Sequence, residues 1–110
     1  MDFYIGSTIN EIDEQGANVE FSDELLGFIY KLKEQVSIDM SKLYEINPYD
    51  DVEISVNDLY QIIEVCNYII DKSLLRDYVE SVEGNQMLLN LIKIAKEAMS
   101  RGRRLVSIGD

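Results

Sequence analysis

From residue 59 onward the apolar residues repeat at the spacing of a helix. Leu59, Ile62, Ile63, Cys66, Ile69 and Ile70 share one face, and Tyr60, Gln61, Glu64, Asn67, Tyr68 and Asp71 share the other. Steps of three and four residues bring side chains to one side of an α-helix. Such a stripe has to be covered, so the chain must fold as layers around a core. Just before it, Val52, Glu53 and Ile54 alternate as a short strand does, and Ser55 or Asn57 stands where a helix needs its cap. The same order occurs earlier. Residues 19–21 alternate, Ser22 can cap, and Asp23 and Glu24 follow where negative charge favours a helix start. Leu25, Phe28, Ile29, Leu32 and Val36 then recur at helical spacing. Gly27 weakens this helix by about 1 kcal/mol relative to alanine, and its end is expected between residues 34 and 38. The two units share too little to be a repeat; one kind of strand-to-helix turn is used twice.

The remaining elements follow from local signals. Residues 3–5 and 105–108 read as short strands, and Gly6 and Gly16 bracket a polar loop. Residues 43–46 fit either an extended piece or a helical turn. Asn47-Pro48-Tyr49-Asp50 reads as a turn, because Pro48 fixes its own φ and biases Asn47 away from the helical region. Leu75, Tyr78, Val79 and Val82 continue a helical period in a shorter piece that Gly84 and Asn85 break. A last helix turns Leu88, Leu91, Ile92, Ala95, Ala98 and Met99 inward, and Gln86, Asn90, Lys93 and Glu97 outward; Arg101 sits in its final turn and Gly102 stops it. The expectation is one α+β domain over residues 1–110, with three or four helices packed on a small sheet of strands 3–5, 19–21, 52–54 and 105–108. An all-α bundle with extended connections is the alternative. At 110 residues the chain buries roughly two-thirds of its unfolded surface, enough for a single core.

Charge limits what the chain binds. Its 21 acids against 10 bases give a formal net charge of −11. Negative charge is concentrated in the first half of the chain. A field of this sign repels nucleic-acid phosphates and anionic membranes, and it attracts basic proteins. Solubility is the plain alternative use of the same charge. The opening residues MDFYIGSTINEID hold no basic region and no long apolar run, so no signal peptide is expected. No stretch approaches the roughly 20 apolar residues of a membrane span, and cytoplasmic residence is the expectation. The single cysteine, Cys66, lies on the apolar side of its helix and reads as a small buried hydrophobe.

The stretch NPYDDVEISVNDLY, residues 47–60, holds the only proline and a run of carboxylates. As a calcium loop it fails, because the acids are wrongly ordered and no glycine marks the bend. No metal or cofactor is expected. A carboxylate pair would catalyse only in a cleft that splits the two pKa values. With no histidine and no nucleophile motif, the chain is not expected to be an enzyme. A partner-binding surface fits better, made of Tyr44, Glu45, Tyr49, Asp50, Asp51, Glu53, Asp58 and Tyr60. Tyrosine buries a large flat area while its hydroxyl stays satisfied, and an acidic rim suits a basic partner. Against this stands the reading that these tyrosines close the edge of the core. Arg101, Arg103 and Arg104 are expected to favour the negative end of the last helix and to pair with acids, not to hold phosphate. Tyr60 and Tyr68, outward on one helix, offer the alternative of a small regulatory or assembly module that self-associates; a monomer is favoured.

Taken together, MDFYIGSTINEID at the start, LYEINPYDDVEIS in the middle and LVSIGD at the close, with the length and charge, resemble the small acidic immunity proteins of bacterial polymorphic-toxin systems. The resemblance implies a cytoplasmic inhibitor that binds a cognate toxin domain and has no catalysis of its own. Such proteins differ widely in fold, so the resemblance assigns no binding residue.

Overall fold

The structure, a computed structural model, describes residues 1–13 and 16–109. It is an α+β fold. The strands are β1 (Asp2–Gly6), β2 (Asn18–Glu20), β3 (Val52–Ile54) and β4 (Arg104–Ile108), and the helices are α1 (Asp23–Leu32), α2 (Ser41–Tyr44), α3 (Val56–Asp71) and α4 (Ser81–Ser100). The strands form one antiparallel sheet in the order β2-β1-β4-β3, so β3 is an edge. The two ends of the chain meet at its centre, with Phe3 opposite Ser107 and Ile5 opposite Leu105.

One face of the sheet carries the core. In register, Phe3, Ile5, Val19, Ile54 and Leu105 lie on that face, and all are buried. Helix α4 packs on β1, β2 and β4, and α3 packs on α4. Leu59, Ile62, Val65, Cys66 and Ile69 are the buried residues of α3, so its stripe includes Val65, while Ile63 and Ile70 are only half-buried. Burial pushes the Cys66 thiol up to about 12, so it stays protonated and is no nucleophile. On the opposite face Val106, flanked by Tyr4 and Glu53, is nevertheless fully buried. The segment after β1 reaches this face, where the Ile9 amide donates to Glu53 Oε2 at 2.9 Å.

Ser22 and Ser55 cap α1 and α3 as their positions suggest, each hydroxyl accepting a backbone N–H at 3.2 Å. α1 ends earlier than its periodicity predicts; a 3₁₀ turn, Lys33–Gln35, follows Leu32. Residues 43–46 take the helical alternative, with Leu43 and Tyr44 in α2 and a turn following; at the start of α2 Asp39 Oδ1 accepts the Ser41 N–H at 2.9 Å. Hydrogen bonds from the Ser41 side chain and backbone keep the Asp39 carboxyl below its ordinary value. At the other end of the chain Gly102, at φ 67°, closes α4, with Arg103 N–H bonded to the Ala98 carbonyl at 2.8 Å.

The stretch between α3 and α4 departs from its periodicity. Helix α3 ends at Asp71, and just beyond it Ser73 takes a positive φ (52°), with Leu74 N–H reaching back to Ile69 O at 3.0 Å. Turns follow through residue 80, so residues 75–80 are not a second short helix, and Val82 already belongs to α4. Leu75 is fully buried and Tyr78 packs half-buried against the core, but Val79 is 95 % and Val82 76 % exposed. Gly84 and Asn85 break nothing, because α4 starts at Ser81 and runs through both. Gly84 is buried for a different reason: a β-carbon there would lie 3.0 Å from Leu75 Cδ1 and 3.2 Å from Tyr78 Cδ2.

Ser107 is fully buried, and its hydroxyl has no hydrogen-bond partner among the described residues. An unpaired buried polar group costs about 1–3 kcal/mol. Ser107→Ala is therefore expected to raise the melting temperature, by a stabilisation of up to about 1 kcal/mol after the small void is counted. A clear fall in thermal or urea denaturation would show that the hydroxyl is bonded in solution.

Candidate functional site

Five of the eight chosen residues stand at one corner, on α2, β3, the first turn of α3 and the turn before β3, with Asp51 closing that turn; Tyr44 instead packs against Tyr30 of α1, and Tyr60, two residues past Asp58, lies roughly 200° round α3 from it. Glu45, Glu53 and Asp58 line one shallow depression of about 180 Å³ together with Lys42 and Val52. Tyr49, Asp50 and Asp51 stand in the turn that leads directly into Val52. That turn forms as expected: Asp50 N–H reaches Asn47 O at 3.4 Å, and Asn47 Oδ1 accepts the Tyr49 N–H at 2.9 Å. The turn is clamped from the C-terminal side. The Gly109 N–H donates to Asp51 Oδ1 at 3.1 Å, and a β-carbon at Gly109 would clash with the Tyr49 and Asp50 backbone. Only glycine lets the backbones approach this closely.

The eight residues divide by what they already do. Asp51 holds the Gly109 amide, and Glu53 holds the Ile9 amide through one oxygen while the other lies 3.9 Å from Arg104. Asp58 pairs with Lys42 at 3.5 Å. Tyr44 is half-buried, its ring edge-on to Tyr30 at 5.3 Å between centroids. These four are occupied within the fold, although exposed pairs of this kind add little stability. The others are free of such duties. Glu45 is exposed, and its side chain makes no hydrogen bond or ion pair among the described residues. Asp50 accepts only the local Asn47 amide, at 2.9 Å. Tyr49 is 69 % and Tyr60 56 % exposed. Edge strands are commonly protected by charge, and the charged Glu53 serves β3 in that way too.

Two features escaped the sequence. Tyr30, half exposed, joins Tyr44 in an aromatic pair with the Lys33 ammonium 3.8 Å from the Tyr30 centroid. A tyrosine three residues before a lysine on a helix was the available signal. The second is another acidic depression, about 620 Å³, lined by Asp2, Glu20, Asp23 and Glu24 among others. Negative charge is therefore shared between separate places, not gathered into one lobe. Neither depression has an exposed aromatic residue on its wall, since Phe21 is fully buried; what sets the β3 corner apart is the exposed Tyr49 in the adjoining turn. Of the basic tail, Arg101 pairs with Asp13 at 3.4 Å and Arg104 approaches Glu53, as the structural reading expects. Tyr68 is half-buried beside Ile38, Gln61 and Glu64.

Among the described residues no group of three or more His, Cys, Asp or Glu side chains is arranged to hold a metal ion. No helix among them is long and apolar enough to cross a membrane. Comparison with known protein families, with curated proteins and with solved structures gives no match.

Proposed function

We propose that this chain is a cytoplasmic binding protein without catalytic activity, which inhibits a basic protein by covering it, as the immunity proteins of bacterial polymorphic-toxin systems do. The observation that carries the reading is the division of labour at the β3 corner. The Glu45 and Tyr49 side chains are exposed there with no hydrogen bond or ion pair among the described residues, Asp50 reaches only Asn47 of its own turn, and Tyr60 is exposed further along α3. Free acids beside exposed aromatic rings are what a cationic surface recognises: the field speeds encounter, and the rings supply buried area after contact. The overall charge of −11 adds long-range attraction of the same sign.

The test is genetic and then biochemical. In the systems this chain resembles, the inhibitor's gene follows that of its target. Expressed alone, the product of the gene immediately upstream is expected to arrest growth; expressed with this chain, it is expected to be harmless and to co-purify with it. Tyr49→Ala with Tyr60→Ala is expected to weaken that complex by about thirtyfold, the loss of roughly 2 kcal/mol typical of an aromatic anchor. A harmless neighbour, or rescue without a complex, would contradict the reading.

A further inference from the structure

A second surface lies at the other end of α3, and its chemistry is different. Helix α3 has 16 residues, so its two ends stand about 24 Å apart. Between α1 and the turns that follow α3 an open groove of about 480 Å³ is walled mainly by apolar groups. Phe28 from α1 and Tyr78 form the floor, with ring centroids 5.0 Å apart. Val79 stands at the rim and is 95 % exposed. The other lining residues are Glu24, Asp77 and Glu80, and none is a lysine or arginine. The nearby Arg76 turns back instead onto the Ser73 carbonyl, at 3.3 Å. Val82, at 76 % exposure, extends the apolar surface onto α4, and Leu89, seven residues further, shares its helical face.

Isolated exposed valines call for no explanation, but a continuous apolar groove with a charged rim does. We propose that this groove docks a segment of a basic protein that offers an apolar side chain flanked by lysine or arginine. The apolar side chain meets Phe28, Tyr78 and Val79, and the flanking cations meet Glu24, Asp77 and Glu80. The charge of the rim decides between occupants. A second copy of this chain would set acid against acid, whereas a cationic segment neutralises all three carboxylates as it covers the groove. The site is independent of the β3 corner and holds whether or not that corner binds an inhibited target.

The probe is the peptide Lys-Lys-Leu-Phe-Lys-Lys, titrated into the full chain labelled for amide-resolved NMR. Shifts are expected at residues 24–28 and 77–82, with residues 44–60 unmoved. The peptide with serines in place of leucine and phenylalanine, and the peptide with glutamates in place of its lysines, are each expected to bind at least tenfold more weakly. Val79→Ser, at a position that supports nothing in the fold, is expected to weaken the first peptide about fivefold, and Asp77→Lys with Glu80→Lys at least tenfold. Equal binding of all three peptides, shifts centred elsewhere, or sedimentation showing a dimer that Val79→Ser dissolves would each overturn the proposal.

Discussion

With Glu45 and Asp50 both changed to lysine, association with the basic partner is expected to slow by about tenfold or more at low salt. Stability should change by no more than about 1 kcal/mol, since the one bond lost, from Asn47 to Asp50, is exposed and local to the turn. The reasoning rests on which acids are free. The Glu45 carboxylate makes no hydrogen bond or ion pair among the described residues, and that of Asp50 holds only the side chain of Asn47 in the same turn. Asp51 and Glu53 look equivalent in the sequence, but each accepts a backbone amide from a distant segment, Gly109 and Ile9 respectively. Reversing those two would lower stability and confuse a folding defect with a binding one. The effect should also shrink as salt rises, because the screening length falls to about 10 Å at 0.1 M. Stopped-flow association at several ionic strengths reads this directly. Rates that match wild type at every salt concentration would remove the β3 corner from recognition.

The second large effect concerns Gly84. A glycine inside a helix is ordinarily a weakness, and on propensity alone its replacement should stabilise by a fraction of a kcal/mol. Here the reverse is expected. Its α-carbon is pressed against Leu75 and Tyr78, and a β-carbon would already sit at 3.0 and 3.2 Å from them. Valine adds two further methyl groups into that space. Gly84→Val is therefore expected to destabilise by about 1–3 kcal/mol through overpacking. For a domain of this size that lowers the melting temperature by roughly 4 °C or more per kcal/mol. It should also push Tyr78 away from Phe28, so the Lys-Lys-Leu-Phe-Lys-Lys peptide should bind more weakly. A variant as stable as wild type would show that Leu75 and Tyr78 yield freely.

Much of the fold was legible because it is written locally. The α3 stripe, the capping serines at positions 22 and 55, the turn at residues 47–50 and the Gly102 stop each depend on a few neighbouring residues, and each forms. Where the reading failed, a distant contact had decided the matter. Residues 75–82 carry a helical period, yet the chain leaves the helix after Asp71 and only Leu75 and Tyr78 find partners. Gly84 resembles a breaker until Leu75 and Tyr78 are seen against it. The candidate site shows the same limit. Composition placed acids and tyrosines at the β3 corner but could not separate the occupied from the free. Nor could it join Asp2 to Glu20, which are opposed only because β1 and β2 pair in that register.

Amide hydrogen exchange on the chain, alone and saturated with the basic neighbour, tests the account most directly. Slowed exchange across residues 44–60, including Glu45, Tyr49, Asp50 and Tyr60, is the result it predicts. A stable complex in which those amides exchange as fast as in the free chain, with protection appearing instead around Asp2, Glu20 and Asp23, would contradict it.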